Sequence, residues 1–373
     1  MATIVRGSVK DYDWGIVDGL AAWCGGPTGR PQAELWFGVH PASPSPVVDE
    51  HRNPTGGHLA DLYGVDQVPL LVKLLAAAQP LSVQVHPRAA LAAQSWLAQQ
   101  EPGSQQILAD SYEKTELIVA LEPFEAFVGW RSLPKTIEIL ADVPAAAAAV
   151  EYLRAGQVIA AIRALLAMED VDSAVRLLPA AVRAAGMPAD ECAAYDMVVS
   201  TYPGDRGALL TAMLQYVALE TGSAIYVPAG VPHSYIRGLG LEVMTTSDNV
   251  LRLGLTAKPM FIDEALDALD LTAEPQVMTL NVGDAITPAG APFAVTLLDG
   301  RAGEQSPERI ESGRYRLVLS IEGSTSVRFA DDEPAHAVVL DPGSAAVLAV
   351  DEPALLVSTT GLAALVEDRN ITS

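Results

Sequence analysis

Two short stretches decide the fold of this chain: Gln84-Val-His86-Pro87 and Gly222-Ser-Ala-Ile-Tyr-Val-Pro-Ala-Gly-Val-Pro-His233. In a β-strand, residues i and i+2 point to the same face, so Gln84 and His86 project together. The second stretch has the pattern of a strand that ends in a turn just before His233. Two imidazoles and an amide oxygen on the inner wall of a β-barrel suit a divalent metal, most simply zinc completed by one carboxylate.

Composition limits the kinds of partner that this chain can have. Its 373 residues, half of them hydrophobic, are enough for two or three domains with buried cores. The formal net charge is −23, which disfavours nucleic acid and anionic lipid surfaces as partners. A phosphate ester would also be repelled unless arginine and lysine side chains reverse the field at the site. No run of about 18 apolar residues occurs, so no membrane span is expected.

The first residues and the cysteines indicate the cellular compartment of the protein. The segment Met1-Ala-Thr-Ile-Val-Arg6 has a strand-like pattern and lacks the basic start and long apolar core of a signal peptide. The cysteines are only Cys24 and Cys192, so they imply no disulfide framework and cannot form a thiolate zinc site. A reducing cytoplasm is therefore expected.

The pattern along the chain predicts a mainly β protein with two barrel domains and an inserted α-helical domain. Short apolar runs separated by glycine and proline predict strands in residues 1–130 and 217–270, which together form the metal-binding domain. Residues 131–216 are rich in alanine and leucine with helical periodicity, and Asp142 is expected to cap a helix there. Residues 271–373 alternate strands with turns, which predicts a second antiparallel β-domain without metal.

The spacing of the second stretch, G-x5-P-x-G-x2-H, resembles the second motif of the cupins, which are small jelly-roll barrels with a metal inside. The first cupin motif normally supplies a pair of histidines, and here Gln84 replaces one of them. A carboxylate follows about thirty residues later, in Lys114-Thr-Glu116, just before the strand-like run Leu117–Leu121. This combination resembles type I mannose-6-phosphate isomerase.

Further segments resemble that family in the same order, between about residues 10 and 260. They are Tyr12-Asp-Trp-Gly15, Ala33-Glu-Leu-Trp-Phe-Gly38, His40-Pro-Ala-Ser-Pro44, Pro69-Leu-Leu-Val-Lys73, Leu81-Ser-Val-Gln-Val-His-Pro87, Pro123-Phe-Glu-Ala126, Tyr202-Pro-Gly-Asp205, Ser247-Asp-Asn-Val-Leu-Arg252 and Gly254-Leu-Thr-Ala-Lys258. Each is weak alone, and their shared order makes the resemblance specific. The family often has proline where this chain has Thr115 and Ala257, which bears on loop geometry because proline fixes φ.

The resemblance implies a ligand set and a reaction. One zinc ion per chain would be held by Gln84, His86, Glu116 and His233. The enzyme would interconvert mannose 6-phosphate and fructose 6-phosphate, with Arg252 as the family's active-site arginine. In this family the reaction leads to GDP-mannose precursors, and the resemblance also suggests a monomer.

The chemistry of aldose–ketose isomerisation requires a general base, because a proton moves between C1 and C2. Glu242 is predicted to be this base. The chain is expected to turn at Gly238-Leu-Gly240 and to return as a strand over Leu241–Thr245. By alternation, Glu242 and Met244 would then face the inside of the barrel near His233. Zinc would stabilise the enediol-like charge as a Lewis acid.

Cationic side chains must hold the phosphate. Arg252 and Lys258 are predicted to bind it or to stabilise the enediolate, since arginine suits bidentate contact with an oxyanion. Further candidate substrate contacts are Lys73, Ser82, Lys114 and, as an apolar wall against the sugar, Trp14.

Other functions stay open at this point. A cupin isomerase for another phosphosugar would use a similar site. An iron-type oxygenase would prefer histidine-rich facial ligation, which Gln84 disfavours. A non-catalytic protein that binds sugar phosphates would keep the metal without turnover. Loss of Arg252 or of the carboxylates would have favoured that function, and all of them are present.

Overall fold

Most of the regular structure is β-strand, as predicted. The computed structural model describes residues 2–49, 51–279, 283–301, 303 and 306–369. The strands are β1 (Thr3–Arg6), β2 (Ser8–Lys10), β3 (Glu34–Phe37), β4 (Pro46–Val48), β5 (Pro54–His58), β6 (Leu70–Ala77), β7 (Val83–Val85), β8 (Glu116–Ala120), β9 (Phe124–Trp130), β10 (Leu214–Leu219), β11 (Ser223–Val227), β12 (His233–Thr245), β13 (Leu251–Gly254), β14 (Gln276–Thr279), β15 (Ala285–Ile286), β16 (Phe293–Asp299), β17 (Glu308–Ile310), β18 (Arg316–Glu322), β19 (Thr325–Phe329), β20 (Val338–Leu340), β21 (Ser344–Leu348), β22 (Leu355–Thr359) and β23 (Leu362–Asp368).

Most of the described helices lie between β9 and β10, while the first lies between β7 and β8 and the last follows β13. They are α1 (Ala89–Ala98), α2 (Leu133–Ala141), α3 (Ala147–Arg154), α4 (Val158–Leu166), α5 (Val171–Ala184), α6 (Ala189–Thr201), α7 (Gly207–Thr211) and α8 (Ile262–Ala268), with 3-10 turns at Leu59–Asp61, Pro144–Ala146 and Pro334–His336. The helical run predicted over 131–216 extends from Leu133 to Thr211, and residues 214–216 belong instead to β10.

The strands form three sheets. An 11-stranded sheet has the order β14-β11-β8-β12-β6-β3-β2, and β7, β9, β10 and β13 join it through β12. An eight-stranded sheet has the order β15-β16-β23-β18-β21-β1-β4-β5, and a four-stranded sheet the order β17-β22-β19-β20. The first strand, β1, lies between β21 and β4, with Ile4 opposite Ala346. Strands from the first 60 residues thus complete the sheet of the C-terminal strands.

Apolar burial holds the sheets in layers. One face of the 11-stranded sheet, with Leu241 and Val243, packs on the eight-stranded sheet, with Val295 and Leu317. The opposite face of the eight-stranded sheet packs on the four-stranded sheet. Helices α2–α7 pack on β7, β9 and β13. The face of the 11-stranded sheet opposite the eight-stranded sheet is called the inner face below.

The prediction that Asp142 caps a helix is wrong. Helix α2 ends just before this residue, and the Asp142 N–H donates to the carbonyl of Ile139 at 3.4 Å. The helix begins earlier, at Leu133, because Pro134 suits its first turn. Its buried positions then continue to the last turn. The following 3-10 turn starts at Pro144. Proline has no N–H to donate to the preceding helical turn, so α2 could not have continued through this residue.

The predicted turn at Gly238–Gly240 is also wrong, because β12 continues through it as one strand of 13 residues. The first part of β12 pairs with β7 and β9, and the second part pairs with β6 and β8. The glycines serve close packing instead of a turn. A Cβ on Gly238 would lie 2.6 Å from the Pro123 carbonyl oxygen, and one on Gly240 would lie 2.7 Å from Ile118.

An irregularity in β12 decides which side chains reach the inner face. The pairing with β9 shifts in register between Tyr235 and Arg237. Before the shift His233 and Tyr235 lie on the inner face beside Glu116, and after it Glu242 does. Residues nine positions apart face opposite sides of a regular strand, so the shift brings His233 and Glu242 to one side.

A buried ion pair ties the helical segment to the sheets. Arg131 follows β9, and its guanidinium donates to Glu191 Oε1, to the Tyr195 hydroxyl at 3.3 Å and to the Leu214 carbonyl at 3.0 Å. The side chains of Arg131 and Glu191 are 4% and 6% exposed. Since Leu214 starts β10, this contact joins the two points where the chain leaves and re-enters the sheet.

Replacing Arg131 with alanine is expected to lower the free energy of unfolding by about 3–5 kcal/mol, because it leaves the Glu191 carboxylate buried without its partner. Urea denaturation followed by circular dichroism measures this loss. The matched control is Arg154→Ala, which removes a guanidinium paired with Glu151 on an exposed helix surface. Such exposed pairs contribute about 0–1 kcal/mol. Equal losses in both variants would contradict the assigned importance of the buried pair.

Candidate metal centre

His86, Glu116 and His233 meet on the inner face although they are far apart in sequence. His86 follows β7, Glu116 begins β8 and His233 begins β12. All three side chains are at most 1% exposed. Their potential ligand atoms lie within 4.8 Å of one another. Strand pairing brings in the fourth predicted ligand, because Gln84 in β7 lies opposite His233.

The Glu116 carboxylate bridges the two imidazoles. Its Oε1 lies 2.9 Å from His233 Nε2, and its Oε2 lies 3.2 Å from His86 Nε2. The Tyr235 hydroxyl donates to Oε1 at 2.9 Å. The amide nitrogen of Gln84 lies 3.1 Å from His233 Nε2, and rotation of the amide exchanges its nitrogen and oxygen. The structure thus brings together all four side chains that the sequence predicted as ligands.

The orientation of both imidazoles fits a metal ion. His86 Nδ1 lies 2.8 Å from the Asn249 carbonyl, and His233 Nδ1 lies 3.1 Å from the Val231 carbonyl. A carbonyl only accepts, so each Nδ1 carries the proton, and in a neutral imidazole the Nε2 lone pair then faces Glu116. Lone pairs on nitrogen and carboxylate oxygen repel each other unless a cation lies between them. This carbonyl-held tautomer is the usual one for a metal-bound histidine.

The protonation states point the same way. Burial, assisted by the nearby Lys114 ammonium, lowers the pKa of His86 to about 3, so this imidazole is neutral near pH 7. Burial alone would raise the pKa of Glu116, but Lys114, His233 and His86 outweigh it and hold the pKa well below its usual value. A neutral imidazole and a carboxylate anion are the protonation states in which these groups bind a metal.

A second buried cluster lies further along the inner face. The Lys73 ammonium lies 2.9 Å from Glu242 Oε2 and 3.6 Å from Glu34 Oε1, and Lys73 and Glu242 are neighbours across β6 and β12. Burial would lower the pKa of Lys73, but Glu242 and Glu34 outweigh it and raise the pKa, so Lys73 stays charged. Sequence reasoning did not select Glu34 as a site residue. Its position in β3, which pairs with β6, is the feature that places it here.

Glu242 has the environment of a carboxylate that can exchange a proton. Burial is the largest influence and raises its pKa, Lys73 lowers it and Glu116 raises it again, so that the pKa is raised overall. Oε2 lies 2.9 Å from the Lys73 ammonium, at ion-pair distance. A buried carboxylate with a raised pKa is suited to accept a proton from a bound molecule.

Two cations are available at the edge of the site. Arg252 in β13 lies opposite Gln84 and is half-buried. Within the described part of the chain its guanidinium forms no ion pair, and its one hydrogen bond goes to the Val250 carbonyl at 3.5 Å. Burial lowers its pKa, partly offset by Asp248, and an arginine remains charged at neutral pH. Lys258 is exposed, with its ammonium 5.8 Å from the Tyr12 ring centroid.

The remaining predicted substrate contacts lie close to these groups. The Ser82 hydroxyl donates to Gln84 Oε1 at 3.4 Å, and the Lys114 ammonium lies 3.1 Å from Glu116 Oε2. Trp14 is half-buried and stacks on Tyr12, with ring centroids 5.6 Å apart. Sequence reasoning gave Tyr12 no role of its own, although its motif had been noted.

In the described ranges, no helix has both the length and the apolar character that a membrane span requires.

Comparisons with known proteins agree along the chain. Residues 4–133 match the family model described as phosphomannose isomerase type I, catalytic domain. The mannose-6-phosphate isomerase of Salmonella typhimurium is 30% identical over 397 residues, covering 97% of this chain and 98% of that protein. Mannose-6-phosphate isomerase 1 of Arabidopsis thaliana is 32% identical over 302 residues, covering 69% and 68%. A crystal structure of a Salmonella typhimurium phosphomannose isomerase mutant superposes with a TM-score of 0.85 at 27% identity, covering 99% of both chains.

Proposed function

We propose that this chain, which belongs to the type I mannose-6-phosphate isomerase family, interconverts mannose 6-phosphate and fructose 6-phosphate with one bound zinc ion. The observation that carries the proposal is the buried His86–Glu116–His233 group, which shares the inner face with the Glu242 carboxylate. A histidine–carboxylate set suits zinc, and Gln84 would complete four ligands. Bound there, zinc would supply Lewis-acid stabilisation of the negative charge that develops on the sugar oxygens.

Glu242 is the proposed general base. It would take the proton from C2 of the open-chain sugar and return it to C1, while a second proton passes from O2 to O1. Its raised pKa makes it a stronger base than an exposed glutamate. The neighbouring Lys73 ammonium would keep this carboxylate oriented and could contact a sugar oxygen when the pair opens.

Arg252 and Lys258 would hold the substrate through its negative charges. Neither has a carboxylate partner within the described residues, so their charge is available to an incoming anion. With a formal net charge of −23 on the chain, these local cations are needed to attract a phosphate ester. Further proposed contacts are Lys114 and Ser82 with sugar hydroxyls and Trp14 with an apolar side of the sugar.

The same proposal includes the finer architecture and setting. Residues 1–130 and 217–270 would form a catalytic cupin-type jelly roll, 131–216 a helical insertion, and 271–373 a degenerate cupin-type domain. Strands β1, β4 and β5 would then cross from the first domain into the sheet of the last. The enzyme would act as a monomer in the cytoplasm and supply precursors of GDP-mannose.

Removing the metal is expected to abolish isomerisation reversibly. A coupled assay should show turnover of mannose 6-phosphate that falls more than about 100-fold after chelation and returns when zinc is added. The reason is that the ion would stabilise the charge that develops on the sugar oxygens. Glucose 6-phosphate, the C2 epimer, is the specificity control. Faster turnover of another phosphosugar would favour a different isomerase, and binding without any turnover would favour a sugar-phosphate sensor.

A further inference from the structure

The turn Tyr202-Pro-Gly-Asp205 has no part in the proposed chemistry. It joins α6 to α7 in the helical segment and carries none of the candidate ligands. It was nevertheless one of the segments in which the sequence resembles the family. Its contacts lead directly to two loops that border the site.

Asp205 connects the helical segment to the loop after β13. Its Oδ1 accepts the N–H of Gly207 at 2.7 Å, and its Oδ2 accepts the N–H of Thr256 at 3.3 Å. The Thr256 hydroxyl oxygen in turn accepts the N–H of Lys258 at 3.0 Å. A short hydrogen-bonded path therefore runs from the Asp205 carboxylate to the backbone of Lys258.

The loop itself needs this support. Leu255 has φ of +53°, a left-handed conformation that residues with a side chain rarely adopt without help from their surroundings. Its side chain is 1% exposed and belongs to the apolar core of the helical segment. A Cβ on Gly207 would lie 2.5 Å from the Gly254 Cα, so the two backbones are in direct contact. The helical segment thus fixes the loop from Gly254 onwards.

The same turn reaches the loop that precedes the first ligands. The Tyr202 hydroxyl donates to the Pro80 carbonyl at 2.8 Å, shortly before Ser82 and Gln84. One turn of the helical segment therefore holds two loops that approach the site from different strands.

We propose that Asp205 is a positioning residue that sets the location of Lys258, and with it the affinity for the substrate phosphate. The inference rests on the proposed function, in which Lys258 binds that phosphate. The helical segment then contributes to substrate binding without contacting the substrate, through two hydrogen bonds and a buried leucine.

Replacing Asp205 with alanine is expected to raise the KM for mannose 6-phosphate about tenfold while kcat changes less than about twofold, because the charge-assisted bond that orders the loop is lost. Asp205→Asn keeps one acceptor oxygen and the side-chain volume, so a smaller rise of about threefold is expected. It is the deciding variant should the alanine protein fail to fold. The matched control is Asp196→Ala in α6, where the carboxylate pairs with Arg183 on the surface. Its KM should not change.

A double-mutant cycle with Lys258→Ala separates positioning from general loosening. If Asp205 acts through Lys258, the double variant has the KM of Lys258→Ala alone, and additive effects would overturn the inference. Hydrogen exchange of the 254–258 backbone should be faster in Asp205→Ala, which gives a readout independent of activity. A wild-type chain inactive on mannose 6-phosphate would overturn both proposals. An active wild type with an unchanged KM in Asp205→Ala would overturn the positioning role alone.

Discussion

Replacing His233 with alanine is expected to release the bound metal and to reduce turnover more than about 100-fold. The imidazole is fully buried, its Nδ1 is held by the Val231 carbonyl, and its Nε2 faces Glu116 and Gln84. The next inward residue of β12 is Tyr235, whose hydroxyl already donates to Glu116 and which offers no nitrogen ligand. Both metal and activity should therefore be lost together.

Elemental analysis of the gel-filtered variant, beside the coupled assay, measures this outcome. His336→Ala is the matched control, because that histidine is exposed in a 3-10 turn near the four-stranded sheet. It should keep both metal and activity. A His233→Ala protein that retains one zinc ion per chain would show that the ligand set is wrong, whatever its activity.

Replacing Arg252 with alanine is expected to lower kcat/KM about 10³-fold, or about 4 kcal/mol of transition-state stabilisation, while the metal content stays intact. The guanidinium sits opposite Gln84 without an ion-pair partner among the described residues, so its removal unbalances no buried carboxylate. Stability should change little for the same reason. The variant would lose the stabilisation that the guanidinium gives to the bound anion during the reaction.

Arg252→Lys tests what kind of contact is lost. A lysine keeps the charge but not the planar fork of donors, so partial activity is expected if the contact is bidentate. Arg163→Ala, which removes an exposed guanidinium paired with Asp263, is the control and should have normal kinetics. Near-normal activity of Arg252→Ala would refute the assigned role. Loss of metal from this variant would show that Arg252 supports metal binding and not substrate binding.

The strands were predictable because they depend on local patterns, whereas the proposed ligand set of Gln84, His86, Glu116 and His233 came from the family resemblance. The period of two in Gln84-Val-His86 fixes which side chains share a face, whatever lies elsewhere in the chain. The glycine and proline spacing before His233 likewise fixes the end of one strand and the start of the next. Glu242 was expected inside, and the burial of Leu241 and Val243 against the other sheet confirms that alternation.

Features that depend on distant contacts were not predictable in this way. Glycines at 238 and 240 resemble a turn signal, and only the approach of Pro123 and Ile118 shows why a side chain is excluded there. Glu34 reaches Lys73 through strand pairing that no local pattern encodes. Asp142 has a side chain suited to the start of a helix, but helix α2 already occupies the preceding residues, so Asp142 lies at the end of that helix.

The position of β1 has a consequence for biosynthesis. Its hydrogen-bonding edge toward β21 stays unsatisfied until Ala346 has been made, since that is the residue opposite Ile4 on this side. At translation rates of about 5–20 residues per second, that interval lasts tens of seconds. Until then β1 pairs only with β4, and β4 with β5, and the apolar residues Ile4 and Val48 of this short ribbon lack the C-terminal strands that they pack against. The nascent chain therefore carries an open apolar edge through most of its synthesis, which makes early chaperone capture and sensitivity to C-terminal truncation expected properties of this protein.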